Sequence, residues 1–323
     1  MEILDVDGLG PVSRVGLGTW QFGSREWGYG ETYAQGGAAD IVRRALELGV
    51  TLFDTAELYG GGRSERILAA ALGERRGEVV VASKLFPVAP FPPIVRHRAR
   101  ASAQRLQLPR IPLYQVHQPN PVVPDSVIMR GMRSLLDDGT IGAVGVSNYS
   151  LSRWRKADAA LGRATVSNQV SFSLAHADPL DELVPFAERE GRMVMAYSPL
   201  AQGLLGGRYD LDHRPGGVRA MNRLFGTENL RRAAPLLAAL RRVAAAHDAR
   251  PAQVALAWLL AQPRVVVIPG ASSVEQLESN VAAADLELTA DEIAELTAQA
   301  RAFRPVSVGR TLLGRVRERV RRR

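Results

Sequence analysis

Short apolar runs alternate with amphipathic stretches from one end of the chain to the other. Eight runs read as strands: residues 14–17, 51–54, 79–83, 113–117, 143–147, 164–170, 193–197 and 265–268. Between them, apolar residues recur at three- and four-residue intervals, the period of one helix face. Residues 39–48 carry Ile41, Val42, Ala45, Leu46 and Leu48; residues 64–72 carry Ile67, Leu68, Ala71 and Leu72; residues 125–136 carry Val127, Ile128, Met132, Leu135 and Leu136. Helix starts are marked by Ser64, followed at once by Glu65, and by Thr289, with Glu292 at capping-box spacing. Eight strand–helix units in strict alternation predict an α/β fold, a closed (β/α)8 TIM barrel, with an open doubly wound sheet as the alternative.

Two stretches break the alternation. Residues 2–12, interrupted by Gly8 and Gly10, predict a small hairpin ahead of the first barrel strand. Residues 201–228 hold six glycines and no periodicity; an irregular connection of that length is usually functional. No linker, repeat or low-complexity block divides the chain, so residues 1–323 read as one barrel domain, a size such barrels commonly reach.

Composition narrows the function classes. The absence of cysteine excludes disulfides, thiolate nucleophiles and Cys-ligated zinc. The five histidines are scattered without metal-ligand spacing, so no metal is expected. No apolar run approaches the ~20 residues that span a bilayer, and no signal-like segment opens the chain, which predicts a cytoplasmic protein without membrane insertion. The net charge of +8 is concentrated: residues 310–323 carry seven arginines against one glutamate. The remainder carries too little to form a nucleic-acid-binding face. In that tail Leu312, Leu313, Val316 and Val320 recur near helical spacing, predicting a basic amphipathic helix over residues 311–323.

Only two lysines, Lys84 and Lys156, stand among 41 basic residues. A chain so biased to arginine keeps lysine where a side chain must change its proton affinity, which guanidinium does not do. Lys156 lies in a charged stretch; Lys84 closes an apolar strand.

In a parallel barrel the active site gathers at the C-terminal strand ends. The second strand ends in Asp54, with Tyr59 five residues on; the third ends in Ser83-Lys84, the fourth in His117, the fifth in Ser147-Asn148; the sixth contains Asn168-Gln169, and the seventh ends in Tyr197-Ser198. Taken singly, Asp54 fits a helix cap, Tyr59 a half-buried surface aromatic, Lys84 a solvated charge and His117 a satisfied polar group. Together they form an acid–base set. Tyrosine is a poor acid near its ordinary pKa of ~10, and a neighbouring ammonium held by a carboxylate is expected to lower it. Trp20, Trp27 and Phe86 are candidates for a substrate pocket.

The motifs Phe53-Asp54-Thr55-Ala56-Glu57-Leu58-Tyr59-Gly60, Ala82-Ser83-Lys84-Leu85, Tyr114-Gln115-Val116-His117, Gly145-Val146-Ser147-Asn148-Tyr149, Asn168-Gln169-Val170 and Ala196-Tyr197-Ser198-Pro199-Leu200 occur in order. In these the chain resembles an aldo-keto reductase. The resemblance implies hydride transfer from NADPH, with NADH as the alternative, to the carbonyl of a small molecule. Tyr59 would be the proton donor, tuned by Asp54 and Lys84, with His117 orienting the carbonyl. It further implies that Ser147, Asn148 and Gln169 bind the nicotinamide carboxamide and that Tyr197 stacks on its ring. Gly18, Thr19, Trp20, Ser198, Leu200, Gln202 and Gly203 would complete the cofactor contacts. Ser272, Gln276 and Asn280 would meet the adenosine end, without the basic residue that often clamps its 2′-phosphate in the family. A redox-silent, nicotinamide-binding regulatory subunit and a keto-sugar reductase of natural-product biosynthesis are the alternative roles. The lack of G-x-G-x-x-G after a strand argues against a Rossmann dehydrogenase.

Overall fold

A computed structural model describes residues 1–23, 37–216 and 220–306. Trp27 and the basic tail, for which a pocket wall and a helix were expected, lie outside these residues.

The chain opens with an antiparallel hairpin of β1 (Ile3–Val6) and β2 (Gly10–Ser13). Eight parallel strands follow, paired in chain order: β3 (Leu17–Gly18), β4 (Leu52–Asp54), β5 (Val80–Leu85), β6 (Ile111–Val116), β7 (Ile141–Ser147), β8 (Ser167–Ser171), β9 (Met193–Tyr197) and β10 (Val265–Val267). The last strand returns to the first. Val15 bridges Val267 and Gly18 bridges Gly270, with Gly16 N–H on Val267 O at 2.8 Å and Val267 N–H on Arg14 O at 2.9 Å. The sheet is therefore the closed barrel, not the open doubly wound alternative. Gly18 permits this closure: a Cβ there would lie 2.8 Å from Ile268 O.

Inside the barrel, Leu52, Ala82, Leu113, Ala143, Met193, Met195 and Val266 form one buried cluster, and Val6 and Val12 of the hairpin join it. The hairpin is thus the floor of the barrel, tied on by Ser13 N–H to Thr51 Oγ1 (2.8 Å) and Thr51 N–H to Ser13 Oγ (2.9 Å). A larger apolar shell lies between sheet and helices, where Ile41, Leu68, Ile128, Trp154 and Trp258 are fully shielded.

The helices are α1 (Trp20–Gly23), α2 (Ala38–Glu47), α3 (Arg63–Leu72), α4 (Pro92–Leu106), α5 (Asp125–Asp137), α6 (Leu151–Leu161), α7 (Pro179–Arg189), α8 (Thr227–Ala246), α9 (Pro251–Leu260), α10 (Val274–Val281) and α11 (Ala290–Ala302). Thr289 and Glu292 cap α11 reciprocally as expected. Ser64 does not cap α3. The N-cap is Gly62, and the Ser64 hydroxyl is buried inside the first turn, where it bonds Thr19 O at 2.7 Å and meets the hydroxyls of Thr19 and Thr55. Most strand limits differ from the expected ones by one to three residues, because ladder pairing rather than apolar content sets where a strand stops. The expected irregular region holds short 3-10 turns at Ala201–Gly206 and Arg223–Phe225, and α8 begins at Thr227.

Candidate active site

The strand ends bring Asp54, Lys84, His117 and Gln169 onto one rim, and the loop after β4 folds Tyr59 over them. Gly60 makes this turn possible. It has φ +59°, and a Cβ would sit 2.5 Å from Gly23 O, so the chain beside Tyr59 packs backbone on backbone.

Lys84 is completely buried and Asp54 nearly so. The ammonium donates to Asp54 Oδ1 at 2.6 Å, Thr55 O at 2.9 Å and the Tyr59 hydroxyl oxygen at 3.1 Å. Its three hydrogens are thereby all placed. The other carboxylate oxygen of Asp54 accepts from Gln169 Nε2 at 2.7 Å. Burial pulls the Lys84 ammonium toward deprotonation, but the charge and hydrogen bonds of Asp54 and Tyr59 outweigh it and hold its pKa above the ordinary value. The scarcest cation in the sequence is a fixed positive charge.

For Tyr59 the expected direction is reversed. Burial raises its pKa above the usual 10, and the opposing pull of Lys84 does not overcome it. Desolvation disfavours phenolate, and Asp54 cancels part of the charge that would stabilise it. Tyr59 is accordingly a protonated phenol at neutral pH, an acid before it is a base.

His117 follows β6 directly. Burial, and secondarily Lys84, pulls its pKa down to about 3, so the imidazole is neutral. Its Nδ1 is buried with no hydrogen-bond partner among the described residues. The ring is packed edge-to-face by Tyr59 (centroids 6.0 Å, 85°) and by Phe86 (5.8 Å, 88°).

The other half of the rim is open. Asn148 is exposed and in the left-handed region (φ 61°), where asparagine is tolerated better than most residues. Its amide donates to His117 O and to Ser147 Oγ, both at 3.1 Å, and accepts from the Tyr197 hydroxyl at 2.9 Å. Ser147, Asn148 and Tyr197 therefore meet, and Asn148 joins them to the His117 strand end. Ser198, Ala201 and Gln202 also have positive φ. Beyond half-buried Leu200, Gln202 Oε1 accepts from Asn222 at 2.7 Å, and Gly203 occupies φ 100°. Ser272 and Gln276 meet at the start of α10, where Gln276 Oε1 accepts from both Ser272 N–H and Ser272 Oγ at 2.8 Å; Asn280, in the last turn of α10, donates to Gly270 O. Trp20 is exposed beside the site. Thr19 is different: it is fully buried, its hydroxyl serves Asp54 O and Ser64, its N–H donates to Asp54 O and its carbonyl accepts from Phe22 N–H and Ser64 Oγ, so its polar groups are already engaged within the protein.

Several residues support the rim in ways that the sequence does not disclose. Asn168, next to Gln169, does not face the rim; it donates to Tyr149 O at 2.8 Å and steadies the turn after Asn148. Glu65 is buried, accepting from Ser83 at 2.6 Å and Arg105 at 2.5 Å behind Lys84. Glu57 and Arg98 clamp the backbone of Phe86, and Asn120 donates to Pro87 O at 2.7 Å. Of these only Asn168 and Glu57 lie inside motifs that pointed to the site.

The chain is similar over its whole length to an uncharacterized oxidoreductase of Mycobacterium bovis, 74% identical over 323 residues and covering 100% of both chains. Its fold matches the solved glycerol dehydrogenase of Gluconobacter oxydans with a TM-score of 0.84 and 27% identity, covering 95% of this chain and 97% of that one. It likewise matches an aldo/keto reductase of Klebsiella pneumoniae solved with NADP and acetate, at TM-score 0.74 and 27% identity, covering 94% and 96%. The profile of the Aldo/keto reductase family matches residues 14–301, a span that begins at the strand closing the barrel and ends in α11; the chain belongs to that family.

Proposed function

We propose that this protein reduces an aldehyde or ketone to the alcohol with NADPH, with Tyr59 as proton donor. The observation that carries the reading is the placement of the Lys84 hydrogens. Because Lys84 donates to the Tyr59 oxygen, the phenol's own proton is directed elsewhere, toward the open rim. A carbonyl oxygen arriving there receives a hydrogen bond from Tyr59 and then its proton, while Lys84 steadies the phenolate left behind. Neutral His117, with Nδ1 buried, has Nε2 to offer the same oxygen and so fixes the carbonyl's direction.

The donor set of the open half fits a nicotinamide dinucleotide. A carboxamide needs both donors and acceptors, and Ser147, Asn148 and Gln169 supply them. Tyr197 offers a half-buried ring, and the α10 N-terminus with Ser272 and Ser273 offers hydroxyls and amide N–H groups for phosphate. The Klebsiella relative solved with NADP supports the same assignment. When bound, the cofactor supplies hydride. Asn148 would hold the carboxamide in place of its present partners, and Ser272, freed from Gln276, would meet the phosphate.

The test is cofactor oxidation by the purified full-length protein with 4-nitrobenzaldehyde, methylglyoxal, small ketones and keto-sugars. Turnover above the no-protein blank with at least one carbonyl is expected. Intact NADPH binding, measured by fluorescence, with no turnover on any of them would overturn the reading in favour of a redox-silent subunit.

A further inference from the structure

A catalytic histidine is usually oriented by a hydrogen bond on its second ring nitrogen. His117 has none on Nδ1 among the described residues, so its ring is held by packing, with Tyr59 on one side and Phe86 on the other. Tyr59 is itself fixed by Lys84. Phe86 has no polar atom in its side chain to fix it, yet its backbone is bound more heavily than a loop residue requires. Its N–H donates to Glu57 Oε1 at 2.5 Å. Its carbonyl accepts from Arg98 Nη1 at 2.6 Å, and the same nitrogen reaches Val88 O at 3.2 Å. Arg98 closes the ring by a two-pronged contact with Glu57, Nη2 on Oε1 at 2.5 Å and Nε on Oε2 at 3.0 Å. The Glu57 carboxylate is only 10% exposed, a costly place for a charge unless it is paired.

We infer that Glu57 and Arg98 are positioning residues for the reaction: by clamping the Phe86 backbone they set the Phe86 ring, and through it the direction of the His117 imidazole. The inference rests on the proposed carbonyl reduction and extends it to a pair that contacts neither cofactor nor substrate. The clamp depends on guanidinium geometry. One planar fork serves a carboxylate and two carbonyls at once, which a lysine ammonium at the same position does not reproduce.

The experiment compares wild type, Arg98→Ala, Arg98→Lys, Phe86→Leu and the double variant Phe86→Leu/Arg98→Ala, with 4-nitrobenzaldehyde and NADPH. If the clamp acts through Phe86, each single variant loses about tenfold in kcat. NADPH affinity then stays within twofold, Arg98→Lys does not rescue, and the double variant is no slower than Phe86→Leu alone. A clamp that only stabilises the fold lowers Tm and leaves kcat of the folded enzyme within twofold; that result, or losses that multiply in the double variant, overturns the inference. A second readout is independent of turnover. In protein labelled with ¹⁵N-histidine, with His117→Gln used for assignment, Arg98→Ala should shift or broaden the His117 ring signals and leave those of the distant His176, His213 and His247 alone. An unchanged His117 signal overturns the inference even in a protein that reduces nothing, whereas absence of turnover in the wild type counts only against the carbonyl-reductase reading.

Discussion

The two halves of the rim solve opposite problems. On the β4–β6 side, Asp54, Lys84 and Thr55 are bonded together and shut away from water, with half-buried Tyr59 bonded to Lys84 at their edge. On the β7–β10 side, Asn148 with Tyr197, Gln202 with Asn222 and Gln276 with Ser272 are bonded in separate pairs, and most of these residues stand at the surface. The first set is complete as it stands, and any change of partner there exposes a buried charge. In the second set water competes for the same bonds, so on the proposed function exchanging them for a ligand's would cost little. On the proposed function, chemistry falls to the closed half and cofactor binding to the half whose bonds are exposed.

The sharpest way to break this contrast is at Tyr59. Tyr59→Phe keeps the ring against His117 and removes the proton. Carbonyl reduction should fall by at least the ~10²–10⁴-fold typical of a general acid, while NADPH affinity by fluorescence titration stays unchanged. Retention of a third of wild-type turnover would place the donor elsewhere.

Lys84 comes next. Lys84→Met leaves the Asp54 carboxylate buried and unpaired, which costs about 3–5 kcal/mol, so both turnover and thermal stability should drop. Lys84→Arg keeps the charge, but a fork does not reach three acceptors arranged around one nitrogen, and turnover should be nearly as low. An arginine enzyme with wild-type rate would show that charge alone, not its placement, is what the closed half contributes.

The pH dependence separates the halves without mutation. Reduction consumes the phenol form of Tyr59, which predominates below its pKa. Since that pKa is raised above 10, kcat for reduction should stay flat through neutral pH and fall only in the alkaline range. Alcohol oxidation consumes the phenolate and should rise with pH over the same interval. His117, at about 3, should add no inflection between pH 5 and 8. A bell-shaped reduction profile centred near neutrality would contradict both assignments.

The smallest effect is expected in the open half. Gln276 Oε1 presently takes both Ser272 donors. Gln276→Arg frees them and adds a cation, so the Kd for NADPH should tighten while that for NADH stays within twofold. A helix N-terminus alone adds about 0.3–1 kcal/mol for a nearby anion, which implies that the wild type prefers NADPH by a modest margin. Equal Kd values for the two cofactors would remove the 2′-phosphate from the reading of Ser272.

What the sequence discloses follows the same division. Strand order, the floor hairpin, and Asp54, Lys84 and His117 at successive strand ends are legible because a barrel turns periodicity into position. Lys84 stands out further because lysine is rare in this chain. The Glu57–Arg98 and Asn120–Pro87 contacts are not legible: they join residues 41 and 33 apart, and partly through backbone atoms that have no identity in a sequence. Ser64 misleads for a related reason, since its hydroxyl satisfies Thr19, 45 residues away, rather than its own helix end. The raised pKa of Tyr59 is not legible either, because a neighbouring charge is visible in a motif and burial is not.

The floor hairpin has a kinetic corollary. With Val6 and Val12 seated among the barrel's inner side chains, the described residues plug the far end and leave the rim as a doorway, and Lys84 is fully buried behind it. On the proposed function, the proton that leaves with the alcohol is replenished through the doorway by which the alcohol departs. Product exit and recharging of the acid are then consecutive events, so solvent deuterium should slow the step that follows release as well as the chemical one.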